Sequence, residues 1–287
     1  MKKKVLIFCG LLATLFTSCE NPVITDDGNV EDPQGNLKVS VYQIEQTPFS
    51  ALTRAEAGIS CSRLNFIIFD ESGTRFRDPV NQTSDMAGFG SASFQLPEGD
   101  YQLVVVGHSS NGHPKSTDIK KINFTNSQGF TDTFLYYGNV TITDEPEDLG
   151  ITLRRIVSLC RFEVTDEFPE DVDKMRFYYT GGSGTFDATT GLGSVDSKQT
   201  AEFKVISGKK QFDLYTFLRN TEGSIHLTVT AMDDSGNVIN ERSFDVPMKQ
   251  NYVTCMTGPF FAGGGTGSTG ITITINTDWA GENHITF

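Results

Sequence analysis

Short runs of alternating apolar and polar residues, broken by glycine, proline and acidic turns, follow one another along almost the whole chain. Leu37-Lys-Val39-Ser-Val41 alternates with period two, which puts its apolar side chains on one face of a strand. Residues 63–70 form a second run, closed by Glu71-Ser72-Gly73. Residues 92–96 form a third, stopped by Pro97-Glu98-Gly99-Asp100, where proline presets φ and glycine takes the left-handed region. The run 101–107 is largely buried in character, and 134–137 and 140–142 complete the first half. Residues 144–150 (DEPEDLG) read as a domain joint. A long strand pattern at 151–164 opens the second half, followed by 175–179, a glycine-rich loop at 181–193, and alternating runs at 201–206 and 211–217. The succession 225–232, 238–246 and 252–261, separated by turns, predicts a three-stranded meander. Ile271, Ile273 and Ile275 alternate with Thr272 and Thr274 in a late strand, and 284–287 is a short terminal one. No segment keeps a helical apolar period beyond two turns. The pattern predicts an all-β fold of two tandem β-sandwich domains, 37–150 and 151–287.

The first 36 residues read differently. Lys2, Lys3 and Lys4 precede a 12-residue apolar run at 5–16, too short to span a bilayer but the size of a signal-peptide core. Leu15-Phe16-Thr17-Ser18-Cys19 follows and resembles the lipobox of bacterial lipoproteins, with Phe16 where a small aliphatic residue is usual. That resemblance makes 1–18 a cleaved signal peptide and Cys19 the lipid-attachment residue. Residues 19–36, with Glu20, Asp26, Asp27, Glu31 and Asp32, have little to bury and form an acidic tether. Three acyl chains would hold the protein in the outer membrane, where one gives only marginal binding.

Composition sharpens this picture. Among 287 residues, 22 Phe and 8 Tyr supply ample core material, while 28 Gly and 10 Pro supply turns. The net charge of −13, which becomes −16 once the three signal-peptide lysines are lost, argues against a nucleic-acid surface. Beyond Cys9 and Cys19 the cysteines are Cys61, Cys160 and Cys255. Either Cys160 and Cys255 form a disulfide, or all three are buried thiols behaving as small hydrophobes.

The chain offers little catalytic chemistry. His108 and His113 are spaced by five, which matches no metal motif. The glycine-rich 263–270 lacks the lysine and helix of a phosphate loop, and Asp233–Asn237 lacks the closing glutamate of a calcium loop. No serine sits in a nucleophile-elbow context. The expectation is a non-enzymatic protein with no catalytic, cofactor or metal site. Trp279, the sole tryptophan, either plugs a sandwich end or, with Tyr178 and Tyr179, stacks on a glycan.

The order of the segments carries more than any one of them. LNFIIFDESG, LPEGDYQLVVVGH, FLYYG, LRRIVSLCRFEV, MRFYYTGGSGTF, AMDDSGNVINERSF, NYVTCMTGPFF and ITITINTDW, behind the lipobox, together resemble the FimB-type fimbrillin-associated anchor family of Bacteroidetes. The resemblance implies a surface lipoprotein with two transthyretin-like sandwiches, partnered by fimbrillin-type subunits of a type V fimbria. In that family's fimbriae a protease cuts stalk subunits after an arginine, the first strand is lost, and a neighbour's strand fills the groove. An anchor keeps its lipid and first strand. Carried over, Arg54–Ala55 is a candidate processing site, and Ile271, Ile273 and Ile275 are either a fixed edge strand or the donor strand.

Overall fold

A computed structural model describes residues 35–46, 61–262, 270–276 and 283–286. The first half holds β1 (Leu37–Gln46), β2 (Arg63–Phe69), β3 (Val80–Thr83), β4 (Ser91–Phe94), β5 (Gly99–His108), β6 (Ile122–Asn123), β7 (Phe134–Ile142) and β8 (Glu147–Arg155). The second holds β9 (Ser158–Val164), β10 (Lys174–Thr180), β11 (Thr185–Asp187), β12 (Leu192–Gly193), β13 (Gln199–Lys204) and β14 (Gln211–Thr216). It continues with β15 (Glu222–Met232), β16 (Val238–Lys249), β17 (Val253–Gly258) and β18 (Thr272–Asn276), and β19 (Asn283–Thr286) closes the chain. No helix occurs among the described residues.

The first sandwich follows the path β19-β1-β8-β7-β5-β2-β3, with β4 also on β1. It turns a corner between β7 and β8, which pair only at Phe134–Arg155 and Leu135–Arg154. Its core is filled by Leu37, Val39, Val41 and Ile44 from β1 against Phe66, Ile68, Leu103 and Val105. The second sandwich stacks β13-β10-β15-β16 on β14-β9-β17-β18, around Phe162, Phe177, Phe212 and Phe244.

A third apolar cluster joins the two sandwiches. Ile67, Phe69, Val104 and Val106 leave the other face of β2 and β5 to meet Leu159, Phe186 and Phe217. Both strands are thus buried on both faces, which is why they read as continuous apolar runs rather than alternating ones.

Three elements differ from expectation. The 151–164 pattern is two strands: β8 stays in the first sheet, and the chain crosses to the second at Ile156–Val157, both buried in the joining cluster. Residues 147–150, read as part of a joint, instead begin β8 and lie parallel to β1. The meander stops after β16, because β17 enters the opposite sheet parallel to β9.

Candidate strand-exchange site

β1 is the element on which the expected chemistry of strand exchange turns. Its Leu37, Val39, Val41 and Ile44 are almost wholly buried. One edge runs parallel to β8, with a bulge at Tyr42. Just before it, the Asn36 amide donates to Leu96 O (2.7 Å) and accepts from Leu96 N–H (2.9 Å), so that a side chain extends the ladder by one rung. The other edge is covered in two pieces: β4 pairs with residues 37–40, and β19 pairs antiparallel with Gln43–Gln46. Beside β1 lies a cleft of about 500 Å³ lined by Val41, Ile44, Leu64, Met86 and Phe89. The segment above it is fixed by Gln82, whose amide donates to Ser91 O (2.6 Å) and accepts from Gly90 N–H (2.9 Å).

β18, the candidate donor, is seated in its own chain. It pairs antiparallel with β17 from Thr257–Thr272 to Val253–Asn276. Ile271 and Ile273 pack against the second core, whereas Ile275 remains 42% exposed. The approach to β18 is held firmly: the Asp166 carboxylate accepts the N–H groups of Phe260 (2.9 Å), Phe261 (2.7 Å) and Ala262 (2.7 Å). Burial opposes that charge, but the three donors outweigh it and hold the carboxyl below its usual range.

The C-terminal strand on β1 escaped the sequence reading as a functional element. Residues 283–286 contain one aliphatic side chain, too little pattern to name a partner. Cys19, Arg54, Ala55 and Trp279 lie outside the described residues.

Two alternatives left open by the sequence narrow here. Cys160 and Cys255 are free thiols, as is Cys61. β9 and β17 run parallel with Cys160 opposite Thr254 and Cys255 opposite Arg161, so alternation sends the two thiols to opposite faces of one sheet. Cys160 lies in the second core, 3.6 Å from Met256 Sδ, and Cys255 packs on the joining cluster. Nor can Tyr178 and Tyr179 form a stacking pair. Tyr179 is buried, its hydroxyl donating to Tyr215 O (3.0 Å), while Tyr178 takes the other face of β10.

The histidines build structure. His108 is fully buried, with Nε2 2.9 Å from Asn65 Oδ1, and its Nδ1 accepts from Ser110 N–H (3.1 Å). Burial, with smaller contributions from His113 and Arg63, lowers its pKa to about 3, so it stays neutral. Among the described residues no group of three His, Cys, Asp or Glu side chains is placed to hold a metal.

The sequence model of the fimbrillin-A associated anchor proteins Mfa1 and Mfa2 matches residues 31–284. No curated protein matches the chain. Among solved structures, a candidate adhesin from Bacteroides ovatus shares 18% identity, with 81% of this chain and 88% of that one covered and a TM-score of 0.47. A second candidate adhesin from Bacteroides ovatus shares 11% identity, with 87% and 94% covered and a TM-score of 0.48. The tip fimbrial protein Mfa3 from Porphyromonas gingivalis, truncated at its C-terminus, shares 13% identity, with 83% and 98% covered and a TM-score of 0.38.

Proposed function

The chain belongs to the family of fimbrillin-A associated anchor proteins Mfa1 and Mfa2, and on that premise we propose that it is a non-enzymatic outer-membrane lipoprotein that anchors or joins a fimbria. Cys19 carries the lipid, the acidic 19–36 segment spaces the folded part from the membrane, and fimbrillin-type subunits are the partners, engaged by β-strand exchange. The family match over 31–284 carries the reading. The burial of β1 is what both an anchor and an uncut polymerising subunit require, so the choice between them rests on whether Arg54 is cut. A strand that places four aliphatic side chains in the first core is one the protein keeps unless Arg54 is cut.

β18 fits the role of a fixed edge strand better than that of a departing donor. To leave, it would give up its ladder with β17 and the packing of Ile271 and Ile273 on the second core. A glycan-binding role is left resting on Trp279 and the half-buried Tyr178, since Tyr179 is committed to the core.

The test is the N-terminus of the protein in outer membranes and in sheared fibres, read by mass spectrometry. Acylated Cys19 in the membrane with no shorter form is the expected result. A free Ala55 in the fibres would mean that Arg54 is cut and the protein polymerises, overturning the anchor assignment.

A further inference from the structure

The second sandwich has four edge strands, and they are not equally protected. β13 carries Glu202 and Lys204, β14 carries Asp213, and β16 carries Glu241, Arg242, Asp245, Lys249 and a proline at 247. Charges and prolines on an edge are the usual means of refusing a second chain. β18, Thr-Ile-Thr-Ile-Asn, has neither, and among the described residues no strand pairs with its outer side.

The hydrogen-bond parity of β18 follows from its neighbours. Leu159 N–H donates to Tyr252 O (3.1 Å) and Thr165 N–H to Gly258 O (3.0 Å), so even-numbered residues of β17 face β9. Val253, Cys255 and Thr257 therefore face β18 and exchange bonds with Asn276, Thr274 and Thr272. The N–H and C=O groups of Ile273 and Ile275 are left pointing outward.

We propose that this outer edge is a self-association site, occupied by β18 of a second copy of the chain in antiparallel register about Thr274. A two-fold axis there sets Ile273 opposite Ile275 in both directions, matching the outward donors and acceptors of each copy to those of the other. It sets Thr274 against Thr274, and the 42%-exposed Ile275 beside the partner's Ile273 on the core-facing side. Register and charge argue for this occupant. The two-fold register is self-complementary in its backbone groups, and for two copies of a chain of net charge −13 it brings the strands together without a charged residue in either. The result joins two four-stranded sheets into one continuous sheet of two copies. This goes beyond the anchoring role and does not depend on which fimbrial subunit is held.

The register is testable by cross-linking. Thr274 faces its twin as a non-hydrogen-bonded pair, with Cα atoms about 4.5 Å apart, within the reach of a disulfide. Full-length Thr274→Cys, combined with Cys255→Ser to remove the neighbouring thiol, is purified in detergent, oxidised gently and run without reductant. A covalent dimer is expected. Thr272→Cys in the same background is expected to give none, since its twin lies four residues away along the strand. Adding Ile275→Pro removes one outward N–H per copy while sparing the ladder to β17, and should weaken dimerisation about a hundredfold, about tenfold per bond lost. Ile275→Lys, which keeps the backbone and adds an edge charge, should do the same if the proline variant folds poorly. The proposal is overturned by absence of the Thr274→Cys dimer, by equal cross-linking of Thr272→Cys, or by a dimer that survives both Ile275 variants. Cross-linking to a chain of another size instead would assign the edge to a different partner and equally end it.

Discussion

Deleting residues 37–46 is the perturbation that most directly tests whether β1 is part of the fold or a detachable cover. Leu37, Val39, Val41 and Ile44 are 0%, 0%, 7% and 2% exposed. At about 1.5–3 kcal/mol for each fully buried aliphatic side chain, they contribute about 6–12 kcal/mol. That is comparable to the whole stability of a typical domain, about 5–15 kcal/mol. The deletion also strips the parallel ladder from β8 and the partners of β4 and β19. The shortened chain should lose its cooperative thermal transition and bind the hydrophobic dye ANS. A synthetic peptide of residues 36–46, which includes the Asn36 rung on Leu96, should restore both properties when added back. The same peptide with Val39→Asp and Val41→Asp should not, because each aspartate would bury an unpaired charge. A deletion variant that melts within a few degrees of the parent and binds no dye would refute the reasoning. The buried aliphatics of β1 would then be replaceable by rearrangement of the remaining strands.

Two other perturbations probe polar groups elsewhere in the fold. Native His108, facing Asn65, His113, Arg63 and Ser110, stays neutral down to about pH 3, whereas the unfolded chain takes up that proton below 6.5. Stability should therefore fall as pH drops through this window, by about 2 kcal/mol at pH 5. Urea midpoints at pH 7.5 and 5 measure the slope, and His108→Gln should flatten it; an unchanged slope would assign the loss to other groups. Asp166→Ala removes the acceptor of three N–H groups and should cost about 2–3 kcal/mol, with faster amide exchange at Phe260, Phe261 and Ala262. Because its carboxyl is held below the usual range, this contribution persists through neutral pH and is lost only as pH falls through the folded pKa, below 3.8. Unchanged exchange at those three amides would show that Asp166 does not hold the approach to β18.

What the amino-acid pattern could and could not convey has one physical cause. The local apolar pattern reports which faces of a strand are buried: alternation did so for 37–41 and for the Ile/Thr strand near the end, and a continuous run for the doubly buried 64–69. It does not report which strand lies alongside. Ile156 and Val157 continue an apolar run while the chain changes sheets, because a buried crossing needs the same side chains as a buried strand. β17 looks like the third strand of a meander, yet its neighbour is β9, some 94 residues earlier in sequence. That one choice of neighbour sets the parity of the sheet. It sends Cys160 and Cys255 to opposite faces, and it turns the backbone groups of Ile273 and Ile275 outward. β19 finds β1 through four residues whose sequence names no partner. For a protein whose proposed work is strand pairing, function therefore resides in the free and covered edges, which the local pattern leaves undetermined. The absence of charge on β18 is the exception, because an edge must either repel another chain or pair with it, and that choice is written in its own side chains.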